Sequence, residues 1–402
     1  MMSDQPGIFG YLLAIAVLSS AALANAQEVV LTRSGATCAD DPNCINRLHP
    51  AIPMVARAES GERVIFQTRL TGTVDGPPGS TIHSLSGPVN IVGAKAGDTI
   101  AITIVSVEPF GSGTTTITGN SVLADQFIGE IGRSISWELG PDYATSEDIP
   151  NVRIPNRGFP GVVTVLPGPD QIATYLAREH AGVAAGGRGQ LPEPINAAPV
   201  DVCGPESPIK EECVRTGPPR EHGGNMDIRY HSAGTTIYLP CYIDGCGLAV
   251  GDVHYAQGDG EVAGTAIEMG ADVTVQVNVL QNNKSLTRGP HYEGAGEVLS
   301  PSTKRFYATT GLPFKASGDV PPHLRYLQSP VAKELSYLSD DLFLAARNAL
   351  MEMLDYLIEH HGLTREQAYF LTSVAVDLRI GQLVDAGHIN VTAIVPLDIF
   401  VE

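Results

Sequence analysis

Between Gly251 and Glu268 the sequence GDVHYAQGDGEVAGTAIE gathers residue types able to bind a cation and move a proton. Asp252 and His254 lie two apart, so on an extended strand both side chains leave the same face, and such a pair suits two ligands of one ion. Gly258-Asp259-Gly260 then supplies a tight turn where positive φ is accessible, and it brings Glu261 back toward the strand that carried the pair. Val262 to Met269 reads as the returning strand, with Glu268 at even spacing from Val262, Gly264 and Ala266. The expected hairpin gathers Asp252, His254, Gln257, Asp259, Glu261 and Glu268 into a small volume. One imidazole among carboxylates suits zinc or a similar divalent ion, whereas an all-oxygen set would suit calcium or magnesium. A cation held there would acidify its water and polarise a carbonyl, and Glu261 or Glu268 would shuttle protons to a leaving group. Taken alone, the same residues also fit an exposed hairpin decorated with acids and glycines.

Upstream, His222-Gly223-Gly224-Asn225-Met226-Asp227 forms a second block whose Asn225 and Asp227, beside glycines, would in isolation be turn formers. These segments resemble the acetamidase/formamidase family. Gly251 to Glu268 is similar to its GD-x-H-x-AQGDGE-V-x-G-TA-x-E motif, His222 to Asp227 to its HGGNMD block, and Thr236 to Pro240 to its LYLP strand. His83 to Pro88 resembles HPLTGP and Phe159 to Val163 resembles FxGVIG; Asp355 to Glu359, His361 to Thr364 and Asp377 to Ile380 resemble DYL-x-E-x-HGL and DLRI. The matches run roughly from residue 49 to residue 400.

The resemblance implies hydrolysis of a short linear amide, formamide-like or acetamide-like, to a carboxylate and ammonia. It implies Asp227, Asp252 and His254 as holders of a divalent metal ion, with zinc the first expectation and calcium the second. His83 is then a further ligand or acid, Glu261 the general base, Glu268 a second catalytic or ligating carboxylate, and Gln257 the group that orients the amide. An assembly of two or more subunits, a homo-oligomer, follows from the resemblance alone. Ala263 departs from the Cys that many members carry at this point of the motif; a thiol nucleophile is unavailable there, which favours a metal-activated water or else a diverged activity. Asp377 and Arg379 would pair, either in support of the site or as an ordinary surface salt bridge. Two other functions stay open: hydrolysis of larger or cyclic amides on the same scaffold, and a non-catalytic binding module whose cation is structural.

The elements that must position these residues have their own signals. Thr99 to Val107 alternates Ile100, Ile102 and Ile104 with smaller or polar residues, and Val273 to Leu280 alternates four valines with Thr274, Gln276 and Asn278; each predicts a strand with one buried face. Glycine and proline punctuate Glu28 to Leu280 in the manner of an antiparallel β protein. Ser339 to His360 places Leu342, Ala345, Ala346, Ala349, Met353, Tyr356 and Leu357 along one helical stripe ended by Gly362. Thr364 and Gln367 have the spacing of a capping box for a second helix to about Ala375, before Ile389 to Val401 returns to a strand pattern. The expected fold is mainly β with C-terminal helices (α+β), a β-sandwich or jelly-roll core with a helical hairpin, and the resemblance implies the same. One domain is expected over 27–402, β-rich to residue 330 and then the helical hairpin with its final strand. Glu179 to Glu221, without either period, predicts a long surface excursion tied down by Cys203 and Cys213.

Ile8 to Leu23 is uncharged and mostly apolar, and Ala24-Asn25-Ala26 has the spacing a signal peptidase accepts, so residues 1–26 read as a signal peptide cleaved before Gln27. Asp4, with no Lys or Arg before the apolar run, departs from the usual pattern and leaves an uncleaved anchor as the alternative. Export to the periplasm or exterior, with no stable membrane insertion after cleavage, is the expectation. The six cysteines fall into local pairs, Cys38 with Cys44, Cys203 with Cys213 and Cys241 with Cys246; fifteen connectivities are possible, and an oxidising compartment favours disulfides over a metal cluster, for which no C-x2-C spacing exists. A formal charge of -19 argues against nucleic acid and anionic membranes as partners, while a neutral small-molecule amide would be indifferent to it. The sequence has no G-x-S-x-G elbow and no H-x-H or H-E-x-x-H metal motif.

Overall fold

The computed structural model describes residues 28–70, 83–184, 190–281, 290–299, 303–313, 341–383 and 389–401. The expected signal peptide lies outside the described residues. The alternating isoleucines begin a strand longer than the pattern predicted, Thr99–Thr116, which pairs antiparallel along Glu268–Leu280 with Ile102 opposite Val277 and Ile104 opposite Val275. Ile100, Ile102, Ile104, Val273, Val275 and Val277 are fully buried, each such side chain contributing about 1.5–3 kcal/mol of burial free energy. Thr236–Pro240 pairs with the first of these strands and Arg63–Gln67 with the second. A facing layer holds Leu85–Ile91, Cys246–His254, Phe159–Thr164 and Gly223–Asn225. Val89, Leu248, Val250 and Val163 of this layer meet Val64, Ile102 and Val275 of the other in one core, which is the sandwich arrangement. The layers are joined where Val253 pairs with Met269 and His254 with Glu268, so a single hydrogen-bonded network links fifteen strands among the described residues.

The second layer is apolar on both faces. Val163 and Val250 turn to the sandwich core, while their neighbours Val162 and Ala249 turn outward to a second cluster with Ile45, Leu48, Ile172, Tyr175 and Val214. A helix at Pro169–Ala184, not among the expected elements of the β-rich part, supplies part of that cover. Proline suits the first turn of a helix, and Ile172 and Tyr175 form its short buried stripe. The expected excursion from Glu179 is therefore helical at its start. Its described remainder is docked and not splayed into solvent: the buried Arg47 donates to the carbonyls of Glu193 and Ile195, Ala198 N–H donates to Asn46 Oδ1 at 2.7 Å, and Val214 pairs with Leu48. The Cys203–Cys213 disulfide closes it, and Cys38–Cys44 and Cys241–Cys246 are the other two bridges.

At the C-terminal end, Asp341 caps the Leu342–His361 helix by accepting from Phe343 N–H at 2.8 Å, and Gly362 ends it at φ 67. Thr364 and Gln367 exchange the capping-box bonds, 3.1 and 2.8 Å, that start Arg365–Ala375. Of the expected stripe of the first helix, Ala345, Ala349, Met353 and Leu357 are buried, while Leu342, Ala346 and Tyr356 are only half-buried and Leu344, Leu350 and Leu354 join the buried side. Arg347 lies buried in that stripe because it forms two bonds to Asp125, at 2.8 and 2.9 Å, and one to the Val122 carbonyl. This helix packs on a three-stranded sheet of Phe306–Gly311, Asn390–Pro396 and Asp377–Gln382, so the C-terminal layer recruits a strand from before residue 330 and has two strands after the hairpin. No helix of the described residues is long and apolar enough to cross a membrane.

Candidate metal centre

The Cys246–His254 strand is the axis of the site. His254, its last residue, sits directly opposite Glu268, the first residue of the next strand, and this cross-strand pair brings His254 Nε2 to 3.2 Å from Glu268 Oε2. Asp252 Oδ2 lies 3.7 Å from the same nitrogen. Asp252, His254 and Glu268, all buried, thus present one ligand atom each within 4.8 Å of one another. A second such group shares His254 and adds Asp227 and Glu261, both half-buried, on the outer side.

Neighbouring strands deliver the rest. Leu85 is opposite Gly251, which places His83 beside Asp252 with Nε2 3.9 Å from Oδ2. Phe159 is opposite His254 and packs its ring edge-on against the imidazole, centroids 5.1 Å apart. Asn225 is opposite Val162; from there the chain carries Asp227 to the centre, where Asn225 Nδ2 donates to Asp227 Oδ2 at 2.8 Å. Gly161 lies beneath: a Cβ there would stand 2.6 Å from Asp227 Oδ1, 2.8 Å from the Asp252 carbonyl and 3.0 Å from His254 Cε1, so only glycine permits this approach. Gln257 is committed at both ends, its Oε1 2.8 Å from His254 Nδ1 and its Nε2 donating to the Asp227 carbonyl at 2.8 Å. That contact fixes the imidazole with Nε2 facing the carboxylates.

The expected turn at Gly258-Asp259-Gly260 is formed, with Glu261 N–H donating to the Gly258 carbonyl at 3.1 Å and Gly260 at φ 104, but it does not join two paired strands. Residues 255–267 form a loop of successive turns without strand, and Val262 to Ala266 are not a returning strand. The reason is a competing partner: Gly258 N–H donates to the Ser373 carbonyl at 2.9 Å, Ala263 N–H to Ser373 Oγ at 3.0 Å, and Leu378 N–H to the Asp259 carbonyl at 3.1 Å. The loop is thereby fixed to the end of the second C-terminal helix. Glu261 still reaches the centre from this loop, whereas Asp259 turns away to accept from Tyr230 Oη at 2.9 Å. Asp377 is not an ordinary surface partner of Arg379, 3.9 Å away; it is nearly buried and bonded to Arg229 and to Asp259 N–H. Asp227, Asp252 and Glu261 all have positive φ, 49, 51 and 43, a region non-glycine residues rarely occupy.

Burial and the neighbouring Asp252 push the Asp227 carboxyl up to about 7. Burial, then Asp227, holds Glu261 well above the carboxylate range, and burial raises Glu268 as well. His254 is pulled down by burial but Glu268 and Asp252 outweigh it, leaving the imidazole well above its ordinary value. Asp227 Oδ1, His254 Nε2 and Glu268 Oε2 are buried without a hydrogen-bond partner of good geometry among the described residues, although the last two face each other at 3.2 Å. Orphaned donors of electron pairs converging from carboxylates and one imidazole fit a divalent cation, since uncompensated burial of such groups is otherwise costly. Four of the residues expected at a metal, Asp227, Asp252, His254 and His83, are brought together with Glu261, Glu268 and Gln257. Sequence reasoning gave no role to Gly161, Phe159 or Arg229; for the first two the signal was present in the Phe159–Val163 similarity.

A β-sandwich whose layers meet at a buried carboxylate–imidazole cluster is the framework in which the comparisons fall. The model of the Acetamidase/Formamidase family matches residues 32–402, and the chain belongs to that family. It is 27% identical to a formamidase of Methylophilus methylotrophus over 88% of this chain and 89% of that protein, and 28% identical to an acetamidase of Mycolicibacterium smegmatis over 81% and 84%. Among solved structures it is similar to a gamma lactamase from Delftia acidovorans, with a TM-score of 0.79 and 26% identity over 93% of each chain.

Proposed function

We propose that this chain is an amidase that hydrolyses the carbon–nitrogen bond of short linear amides to a carboxylate and ammonia. Family membership and the named formamidase and acetamidase relatives support the reaction. The observation that carries the mechanism is the meeting of two ligand groups at His254, with buried Asp252 and Glu268 in one and Asp227 and Glu261 in the other. Asp252, His254 and Glu268 would hold a divalent metal, zinc by donor type, with Asp227 completing the set and His83 oriented by Asp252. When bound, that ion supplies Lewis acidity for the amide carbonyl and for water. Glu261, half-buried at the outer edge of the centre, is placed to take a proton from water and return it to the departing nitrogen. Gln257 holds the His254 tautomer, and Phe159 its ring plane. Ala263 is fully buried with its N–H on Ser373, so no side chain at that position serves as a nucleophile.

The test is release of ammonia from formamide, acetamide and propionamide by the chain beginning at Gln27, with metal content measured and activity followed through chelation and metal restoration. Glu261→Gln should retain metal and lose about 100-fold to 10,000-fold in kcat, whereas His254→Ala should lose metal. No ammonia from any amide refutes the reading; activity indifferent to chelation removes the metal from it. A second reading, hydrolysis of a cyclic amide, is favoured by the overlap with the gamma lactamase, and a γ-lactam included in the same assay separates the two. Export is part of the proposal: three disulfides suit an oxidising compartment, and a mature N-terminus at Gln27 would be read by mass spectrometry. Assembly into a homo-oligomer rests on the family resemblance and is tested by light scattering.

A further inference from the structure

A cavity of about 400 Å³ lies one side chain away from the metal centre. Gln257, whose amide grips His254 and the Asp227 carbonyl, forms part of its wall, together with Ala256, Arg157, Arg229 and Lys304. In a chain of net charge -19, three cations facing one small cavity is an unusual local balance. Asp398, on the same wall, is engaged by Lys304 N–H at 2.6 Å. Arg229 is neutralised by Asp377, lies 4.0 Å from Asp259, and reaches the Gln257 carbonyl at 3.5 Å. Arg157 is different. Its guanidinium, half-buried, has no hydrogen-bond or ion-pair partner among the described residues, and burial together with Arg229 draws it below its ordinary value.

The loop that carries Arg157 is fixed. Asn156 N–H donates to the Asp142 carbonyl at 2.8 Å, Arg157 N–H to the Tyr255 carbonyl at 3.0 Å, and Gly158 N–H to Asn156 Oδ1 at 3.0 Å. Two residues on, Phe159 packs against His254, so the guanidinium and the imidazole are tied to one short rigid segment. An uncompensated, partly desolvated guanidinium beside a second one is costly unless an anion completes the pair, and the planar fork of arginine matches a carboxylate. The four carboxyl groups of the centre, Asp227, Asp252, Glu261 and Glu268, would repel that anion, which is why it is held on the far side of Gln257.

We propose that this cavity is a carboxylate subsite, with Arg157 as its principal ligand and Arg229 as its oriented second. Two sources share that chemistry: a carboxylate carried by the substrate at the end remote from its amide, and the carboxylate released by hydrolysis. This assignment of sources rests on the amidase reading; the binding site itself does not.

The experiment titrates propionate and succinate into metal-loaded wild-type enzyme and Arg157→Leu by calorimetry, and measures turnover of succinamate and propionamide by both. Binding of either acid should weaken at least tenfold in Arg157→Leu and less in Arg157→Lys, which keeps the charge without the fork. A tenfold fall in the succinamate to propionamide ratio of kcat/KM identifies the substrate's own carboxylate as the occupant. An unchanged ratio with weakened propionate inhibition identifies the product. If wild type binds neither acid, or if folded Arg157→Leu and Arg157→Lys, checked by thermal unfolding, bind both as wild type does, the subsite is refuted. Arginine-dependent binding of the acids without cleavage of any amide would retain the subsite and refute the amidase reading.

Discussion

Gly161→Ala tests whether the centre is built to the tolerance the geometry implies. The added methyl would meet Asp227 Oδ1 at 2.6 Å, the Asp252 carbonyl at 2.8 Å and His254 Cε1 at 3.0 Å. Gly161 has no left-handed φ of its own, so the cost is steric and not conformational. A carboxylate could swing aside, but the Asp252 carbonyl belongs to a strand paired at Val253 and His254, and Asp227 is anchored by Met226 N–H and its own N–H on the Gly161 carbonyl at 3.0 and 3.3 Å. Relief therefore has to come from displacing one strand from the other. Overpacking of this kind costs about 1–3 kcal/mol, and misplacing groups around a metal costs roughly 10-fold to 100-fold in affinity. Urea unfolding of the chelated protein reads the first and zinc titration the second. Gly182→Ala is the control: nothing lies within 4 Å of its Cβ position in the Pro169–Ala184 helix, and it should stabilise by up to about 1 kcal/mol. Stability within about 0.5 kcal/mol of wild type together with unchanged zinc affinity in Gly161→Ala would refute the packing argument.

Acid sensitivity has a defined contributor. His222 is fully buried with Nδ1 on Thr164 Oγ1 at 2.6 Å, and burial and Arg220 pull it down to about 3. The unfolded chain takes up that proton below about 6.5, so the contribution is complete at higher pH and shrinks as pH falls toward 3, by about 2 kcal/mol at pH 5. Asp227, raised to about 7, acts in the opposite sense, so the His222 share is read as the difference in urea midpoints between wild type and His222→Gln; a difference that does not change between pH 7.5 and 5 contradicts it. Chelation should lower the unfolding temperature of wild type and leave that of His254→Ala where it is, as calorimetry would show. Replacing Cys203 and Cys213 by alanine opens a loop of sequence separation 10 and should cost about 2–3 kcal/mol in urea unfolding.

The parts of this fold that a sequence displays are those decided locally. The valine and isoleucine alternations, the Thr364–Gln367 box and the glycine at 362 each carry their own physics within a few residues, and all three are formed. The local turn signal of Gly258-Asp259-Gly260 is realised, but the strand expected after it is not, because Ser373 and Leu378, more than a hundred residues on, take backbone groups of the 255–267 loop. The Pro169–Ala184 helix escaped notice because only Ile172 and Tyr175 are buried along it, too short a stripe to show a period. At the centre, the Asp-x-His spacing was legible because a strand enforces it. Which strands lie opposite His254, and hence the parts played by Glu268, Phe159 and Gly161, depends on register, which no local pattern records.

The positive φ values of Asp227, Asp252 and Glu261 bear on how this chain would respond to selection. Three carboxylates are held where asparagine or glycine would rest more easily, and each is crowded by like charge. A library sorted for thermal tolerance in the absence of metal should therefore converge on asparagine at these positions, gaining robustness as it erases the site. Sorting for metal-dependent turnover should hold all three acids in place and drive compensating gains into the sheet and helices elsewhere.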